Sequence, residues 1–238
     1  MNPRRARRTL LLAVVALAAL TASACTVVHN NGNNGSTTTI GSAPYTEGSG
    51  KVTTQTRTLT SFHAVSVENG VTVFVKRGSA DSADVTADDN LTTLIATDVQ
   101  DGTLRIRVTG SLTTHNQLKV DVTATMLIDA ITQTGGSTVD VEDLASDSLT
   151  ASVDGGSTLR AGGRTANLRL TANGGSTADL QNVEARTAQV QVDGGSTAFV
   201  NARDAISGTC HGGSTLKVSG TADFDSVQKD AGSTVVRG

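Results

Sequence analysis

The sequence predicts an all-β fold: a parallel β-helix-like solenoid with coils of about 19 residues, preceded by an irregular β-rich N-terminal half. Three observations carry this. Gly-Gly-Ser-Thr occurs at residues 135–138, 155–158, 174–177, 194–197 and 212–215, and a worn copy, Ala-Gly-Ser-Thr, at 231–234. Successive copies start 20, 19, 20, 18 and 19 residues apart, and a fixed period of that size belongs to stacked repeats. Aromatic residues make up only 2% of the chain and Trp is absent. Its core must therefore be layered from small aliphatic side chains.

The chain opens with a basic stretch, Arg4, Arg5, Arg7 and Arg8, then the apolar run Leu10 to Leu20. That run is short for a bilayer span and reads, with residues 1–24, as a signal peptide. Ala22-Ser23-Ala24-Cys25 allows two kinds of processing. Small residues at 22 and 24 suit ordinary signal peptidase. A Cys directly behind Ala24 resembles a bacterial lipobox, which makes Cys25 the expected lipid-attachment residue and the membrane a partner. Without the four leader arginines the chain has 15 basic and 22 acidic residues, net −7. An acidic surface without a basic, aromatic-studded patch speaks against nucleic acid and against direct adsorption to anionic lipid.

Residues 25–51 read as a flexible Asn/Gly/Ser/Thr linker, because Asn30 to Thr39 is rich in turn formers and has no apolar period. The domain proper is expected over 52–238, with the repeats over 133–238. From 52 to about 130 the signal is alternation: Val65 and Val67; Val71, Val73 and Val75; Leu104, Ile106 and Val108; Leu118, Val120 and Val122. Glu68-Asn69-Gly70 reads as a hairpin turn. Asp89 to Thr97 reads as a short helix or a strand, with the strand preferred.

With the repeats aligned on their first Gly, four columns are mostly small and apolar. Ile131, Ala151, Leu170, Val190, Gly208 and Val227 stand four before it. Gln133, Val153, Ala172, Val192, Cys210 and Lys229 stand two before it. Val139, Leu159, Ala178, Ala198, Leu216 and Val235 stand four after it, and Val141, Ala161, Leu180, Val200 and Val218 six after it. Alternate spacing of this kind points both pairs of columns inward from two strands. Each unit is thus a strand, a Gly-Gly corner, a second strand and a looser third segment, such as Gln181 to Arg186, and buries its apolar face only by stacking.

The Gly-Gly pair supplies a sharp corner with little room for Cβ, and the following Ser and Thr can form hydroxyl ladders along the stack. A phosphate-cradling loop would need a following Lys and a helix, and has neither. The residues just before the corners, Thr134, Asp154, Asn173, Asp193, His211 and Asp230, alternate acid with non-acid. They read as turn residues rather than a metal column. The outward partner column, Asp140, Arg160, Asp179, Phe199, Lys217 and Val236, is no flat methyl–hydroxyl array of the ice-binding kind. Phe199 is out of place there: a contact residue, or a side chain packed beneath a loop. Cys210 falls in an inward column as a small hydrophobe and, with Cys25 lipidated, has no disulfide partner. His29, His63, His115 and His211 share no ligand spacing, and no Gly-x-Ser-x-Gly elbow occurs. No cofactor, metal or catalytic residue is expected.

Phe62-His63-Ala64-Val65-Ser66-Val67-Glu68-Asn69-Gly70-Val71, then Asp89-Asn90-Leu91 and Gly102-Thr103-Leu104-Arg105-Ile106, together with the recurring Gly-rich corner, resemble the head GIN domain of putative auto-transporter adhesins. The resemblance runs from about residue 52 to the end. It implies a right-handed β-helix-like fold in an exported bacterial protein, and by analogy an adhesin-like role. Members of that family usually carry Gly-Ser-Gly-Asp corners, so a role tied to that Asp is not carried over. The function expected is that of an exported, lipid-anchored, non-catalytic β-solenoid that binds an unknown envelope protein or polysaccharide. The competing readings are a carbohydrate-active β-helix enzyme and a sensory or scaffold domain of an envelope-stress system.

Overall fold

The computed structural model describes residues 45–238. The expected signal peptide, Cys25 and most of the expected linker lie outside the described residues. From Tyr45 the chain is already tied to the domain. Strand β1 (Thr46–Glu47) pairs in parallel with β8 (Leu112–Thr113), and the Ser49 hydroxyl donates to Asp89 Oδ1 at 2.6 Å.

The other strands are β2 (Val52–Thr58), β3 (Ala64–Val67), β4 (Thr72–Arg77), β5 (Ser82–Asp88), β6 (Ile95–Gln100), β7 (Thr103–Val108), β9 (Lys119–Ala124), β10 (Ala130–Gln133), β11 (Thr138–Val153), β12 (Thr158–Ala172), β13 (Thr177–Val192), β14 (Thr197–Cys210), β15 (Thr215–Ser219), β16 (Val227–Lys229) and β17 (Thr234–Arg237). They form one continuous sheet of fifteen strands that winds around a single core. The inward columns are buried as the alternation requires, apart from their ends: Lys229 is exposed, and Gly208 and Val235 are half-buried.

Each repeat contributes a leading strand, a corner and a trailing strand, all in parallel register with the coil on either side. The second strand of one coil runs on without a break through the third side into the leading strand of the next, so β11 to β14 are 14 to 16 residues long. The looser third segment expected from sequence is therefore a strand as well. Its irregularity survives as shifts of register, between Val141 and Leu144 and between Leu180 and Glu184. Coils of unequal length stay paired only by bulging.

The corner is a two-glycine turn in which both residues are left-handed: Gly155 and Gly156 have φ of 64° and 74°, and Gly174 and Gly175 have 63° and 74°. Ser157 N–H closes it on Asp154 O at 3.3 Å. Left-handed φ at both central residues is the type I′ turn. The two glycines answer different constraints. A Cβ on Gly174 would stand 3.1 Å from Gly155 N and 2.7 Å from Asp154 Oδ1, whereas one on Gly175 meets nothing within 4 Å. The first glycine is fixed by stacking and by φ, the second by φ alone. Stacked corners also bond to each other, Gly156 N–H to Gly174 O at 3.0 Å and Gly175 N–H to Gly194 O at 2.9 Å. Five Gly-Gly corners stack this way. At the sixth, neither Ala231 nor Gly232 takes a positive φ, consistent with the Cβ that Ala231 carries.

The Ser residues after the corners are buried and form the expected ladder: Ser176, Ser196 and Ser214 N–H each donate to the Oγ of the next Ser along the stack at 3.2 Å. The Thr column is in register from Thr138 through Thr158, Thr177, Thr197 and Thr215 to Thr234, but no hydroxyl ladder joins it among the described residues.

The Asn69-Gly70 turn departs from expectation. Both residues are left-handed, with φ of 64° and 74°, so the local geometry is that of a hairpin turn. Yet β3 and β4 do not pair with each other. β3 pairs in parallel with β10 and β7, and β4 with β11 and β9. The turn is another corner, stacked under Gly135, with Val71 buried where the repeats have Ser. The solenoid therefore begins well before the repeats. Its layers are also out of sequence order: the strands β7 and β9 lie beyond β3 and β4, between them and the end of the stack. There β6 closes one face by pairing antiparallel with β7, while β5 and β2 close the other. Asp89 to Thr97 is not one strand. It holds a turn at Asp89–Asn90 and a 3₁₀ turn at Thr92–Leu94, and only then β6. Phe62, the largest fully buried side chain, lies here, with Leu91 and Ile95 also fully buried.

Candidate functional site

A solenoid presents residues that alternate with its core positions, so candidate sites are columns of outward side chains. Three sides offer them.

The leading face is nearly uncharged along the repeats, whereas at its cap end Glu68, Asp98, Arg105 and Arg107 line an open concavity of about 550 Å³. One column runs Arg105, Ser66, Thr132, Ser152, Thr171, Gln191, Thr209, Gln228, and its neighbour runs Thr103, Ala64, Ala130, Thr150, Arg169, Gln189, Ser207. A shallow concavity of about 160 Å³ lies over Arg169, Thr171, Gln189 and Gln191.

The third side carries an open groove of about 430 Å³ lined by Leu127, Asp147, Arg164, Glu184, Arg186 and Arg203, among others. Part of its charge is paired. Arg203 Nε donates to Asp204 Oδ1 at 2.9 Å, Arg203 Nη1 lies 3.7 Å from Glu184, and Arg186 Nε lies 3.8 Å from Asp204. The Arg203 hydrogen bond, and then its charge, lower the Asp204 pKa below the ordinary carboxylate value.

The trailing face is different in kind. Its central column runs Asp121, Phe74, Asp140, Arg160, Asp179, Phe199, Lys217, Val236. Two of the four Phe in the chain thus point out of one face. Phe74 is 38% exposed and Phe199 half-buried. Phe199 does not sit beneath a loop: the Lys217 ammonium stands 5.1 Å from its ring centroid, as Lys119 stands 5.0 Å from that of Phe74. Cation–π pairing of this kind orients a ring on an open surface. Beside Phe74 a concavity of about 290 Å³ is lined by Phe74, Asp140, Glu142, Arg160, Asp179 and Asn182, with Ala161 and Gly162, and reaches as far as the coil next to that of Phe199. Arg160 Nη1 is 3.9 Å from Asp140 Oδ1, beyond hydrogen-bond range, so its N–H groups are not consumed there. Strand alternation alone turns Phe74 outward between Val73 and Val75. That it shares a column with Phe199 depends on the β4–β11 register, which no local signal carries.

The residues before the corners behave as turn chemistry. Asp154 Oδ1 accepts from Gly155 N–H at 2.6 Å, and Asp230 Oδ2 from Gly212 N–H at 2.8 Å. The Ser233 hydroxyl and then the Gly212 N–H hold the Asp230 pKa below its ordinary value. Among the described residues no group of three His, Cys, Asp or Glu is arranged to hold a metal. Cys210 is buried and free, and burial pushes its thiol pKa up. His63 Nδ1 lies 2.9 Å from Asp129 Oδ1, with both side chains about half exposed (47% and 50%). No hydroxyl or thiol is hydrogen-bonded to that ring among the described residues. Lipid attachment at Cys25 falls outside the described residues.

Residues 61–222 match the family model described as putative auto-transporter adhesin, head GIN domain. No curated protein matches the chain. Several crystal structures share its fold. A putative adhesin from Bacteroides fragilis superposes with a TM-score of 0.63 at 18% identity, over 80% of this chain and 99% of that one. A putative adhesin from Parabacteroides merdae gives 0.53 at 16%, over 82% and 100%. A putative lipid binding protein from Parabacteroides distasonis gives 0.51 at 14%, over 82% and 100%. Likeness at these identities extends to the fold alone.

Proposed function

The chain belongs to the head GIN domain family of putative auto-transporter adhesins, and from that membership we propose that it is an exported β-solenoid, lipid-anchored through Cys25, that binds an envelope polymer or protein without transforming it. The observation that carries the binding role is the trailing face. Side chains there that the core does not need, two aromatic rings among carboxylates and a guanidinium, are aligned along the stack. The basic leader, its apolar run and Cys25 directly behind Ala24 support export and anchoring. The multiple acyl chains of a bacterial lipoprotein hold far more firmly than one.

Two experiments test this reading. Metabolic palmitate labelling of the full chain should vanish in Cys25→Ala, with release of the protein from membranes; unchanged labelling overturns the anchor. The Cys25→Ala chain, free of its lipid, should also sediment with detergent-extracted cell envelopes, and failure to do so overturns the binding role. Turnover of an envelope polysaccharide that is lost in Asp140→Asn or Asp179→Asn would replace binding with catalysis.

A further inference from the structure

We propose that the trailing face is a binding site for a neutral polysaccharide chain lying along the stacking axis, with Phe74 and Phe199 as its two platforms; this rests on the binding role proposed above and names its ligand class.

The two rings are not explained by packing. Their register position is an outward one, and the three coils between them fill it with Asp140, Arg160 and Asp179. The fold therefore accepts charged residues there, and burial does not demand Phe. In a chain with only 2% aromatics, the core does not require two outward rings in one column, Phe74 exposed and Phe199 half-buried. The ammonium groups of Lys119 and Lys217 cover one face of each ring. Phe74 still keeps 38% of its surface exposed.

The groups between the platforms match a polyhydroxylated surface. Hydroxyls of a sugar ring both donate and accept, so they are held best by acceptors and donors set side by side. Asp140, Glu142 and Asp179 accept; Arg160 and Asn182 donate; all line one concavity with Phe74. Arg160 brings N–H groups that Asp140 does not satisfy. The apolar C–H face of a pyranose covers an aromatic ring, which removes apolar area from water and places C–H dipoles on the negative π face. Phe74 and Phe199 are four strand spacings apart, about 19 Å along the stack. That span accommodates several sugar rings in a row.

Charge decides the class of polymer. The lining between the platforms has three carboxylates against one guanidinium, while the ammonium groups at the rings are Lys119, paired with Asp121 at 2.9 Å, and Lys217. An anionic chain would be opposed by the carboxylates between the platforms and, on approach, by a mature chain of net −7. A protein partner would need a contiguous apolar centre within a patch of about 800 Å², and this column alternates rings with charges instead. The column also lies on a sheet face, so its backbone groups are already paired and offer no edge for strand addition.

The test titrates the full chain with chito- and cello-oligosaccharides as mono-, tetra- and octasaccharides, with polygalacturonate as the anionic comparison. Affinity should rise from mono- to tetrasaccharide and exceed that for polygalacturonate. Phe74→Ala should weaken tetrasaccharide binding about tenfold or more, roughly one decade of the affinity scale. Phe199→Ala should flatten the dependence on chain length, and Thr171→Ala on the leading face should change neither. Unfolding midpoints of all variants are measured alongside, and outward positions should leave them in place. Equal binding by the Phe74→Ala/Phe199→Ala double variant overturns the proposal, as does preference for polygalacturonate. If no neutral chain binds while the Cys25→Ala chain still sediments with detergent-extracted envelopes, this assignment falls and the broader binding role stands. If it binds neither, both fall.

Discussion

The corner at Asn69-Gly70 and the five Gly-Gly corners use the same left-handed turn in two different neighbourhoods. In the repeat half each corner rests on the corner of the preceding coil, and each strand pairs with the strand next along in sequence. Stability there is a sum of nearest-neighbour terms, as in any solenoid. In the N-terminal half the layers are laid down out of order, so ties reach across long separations. The buried Asp88 carboxylate accepts from Thr114 Oγ1 at 2.7 Å and Asn116 Nδ2 at 2.6 Å. Asp81 accepts from Thr125 N–H and Oγ1, both at 2.8 Å. Arg57 Nη1 donates to Ile95 O at 2.5 Å and Nη2 to Thr92 O at 2.7 Å, which fastens β2 across the 3₁₀ turn. The difference teaches that a repeat can be stabilised by geometry copied from coil to coil, whereas a cap, which has no copy, needs its own side-chain network. The far end of the repeat half has a smaller network of the same kind: Arg237 Nη1 donates to Gly220 O at 3.1 Å and Nη2 to Ala222 O at 3.0 Å, its guanidinium stands 4.8 Å from the Phe224 ring centroid, and Lys229 Nζ donates to Ser233 O at 3.4 Å.

The comparison breaks most sharply at a corner. Gly174→Ala should cost about 3 kcal/mol, from strain at positive φ plus the clash with Gly155 N and Asp154. Gly175→Ala meets only the strain and should cost about 1–2 kcal/mol. Urea unfolding of the two variants tests this, and equal losses would refute the stacking role of the first glycine. In the cap, Asp88→Ala should cost about 1–3 kcal/mol, because it removes a buried carboxylate and leaves its half-buried donors Thr114 and Asn116 without their acceptor. Hydrogen exchange should show that loss concentrated in residues 45–124 and not in the repeats. Ser196→Ala removes one rung of the ladder and leaves Ser176 N–H without its partner, for about 1–2 kcal/mol. Thr197→Ala, one residue on, should lie within about 0.5 kcal/mol of wild type.

Gln133 sharpens the boundary between the halves. It is fully buried between Val67 and Val153, and neither side-chain polar atom has a hydrogen-bond partner. Gln133→Met should stabilise the domain by about 1 kcal/mol, seen as a raised unfolding midpoint, since it removes an unsatisfied amide at nearly constant volume. Acid should act on both halves through depressed carboxylates. At Asp81 desolvation opposes ionisation, but the hydrogen bonds from Thr125 and Ser61 together outweigh it and hold the pKa down. Asp230 is held down by Ser233 and Gly212. A folded pKa below the unfolded value of about 3.9 contributes stability above that pH and loses it as pH falls through the folded value. The unfolding midpoint should therefore drop below about pH 4. Asp230→Asn should lessen the slope through the terminal coil and Asp81→Asn through the cap.

The sequence by itself determined the inward columns, the corners and the coil length. All three follow from short-range rules: alternation buries every second residue, and glycine alone takes left-handed φ without strain at a stacked turn. The same rules read Asn69-Gly70 as a hairpin, because a type I′ turn fixes the local path of the chain and not which strand its arms will pair with. Only the tertiary structure decided that. The β3 and β4 arms find better partners in β10 and β11, which continue the stack, and β7 and β9 fill the space beyond them. The same long-range register put Phe74 into line with Phe199, 125 positions later in the chain. The candidate site was hidden in the sequence for that reason: its residues are neighbours by strand pairing, and pairing across the cap is set by the packing of the whole core.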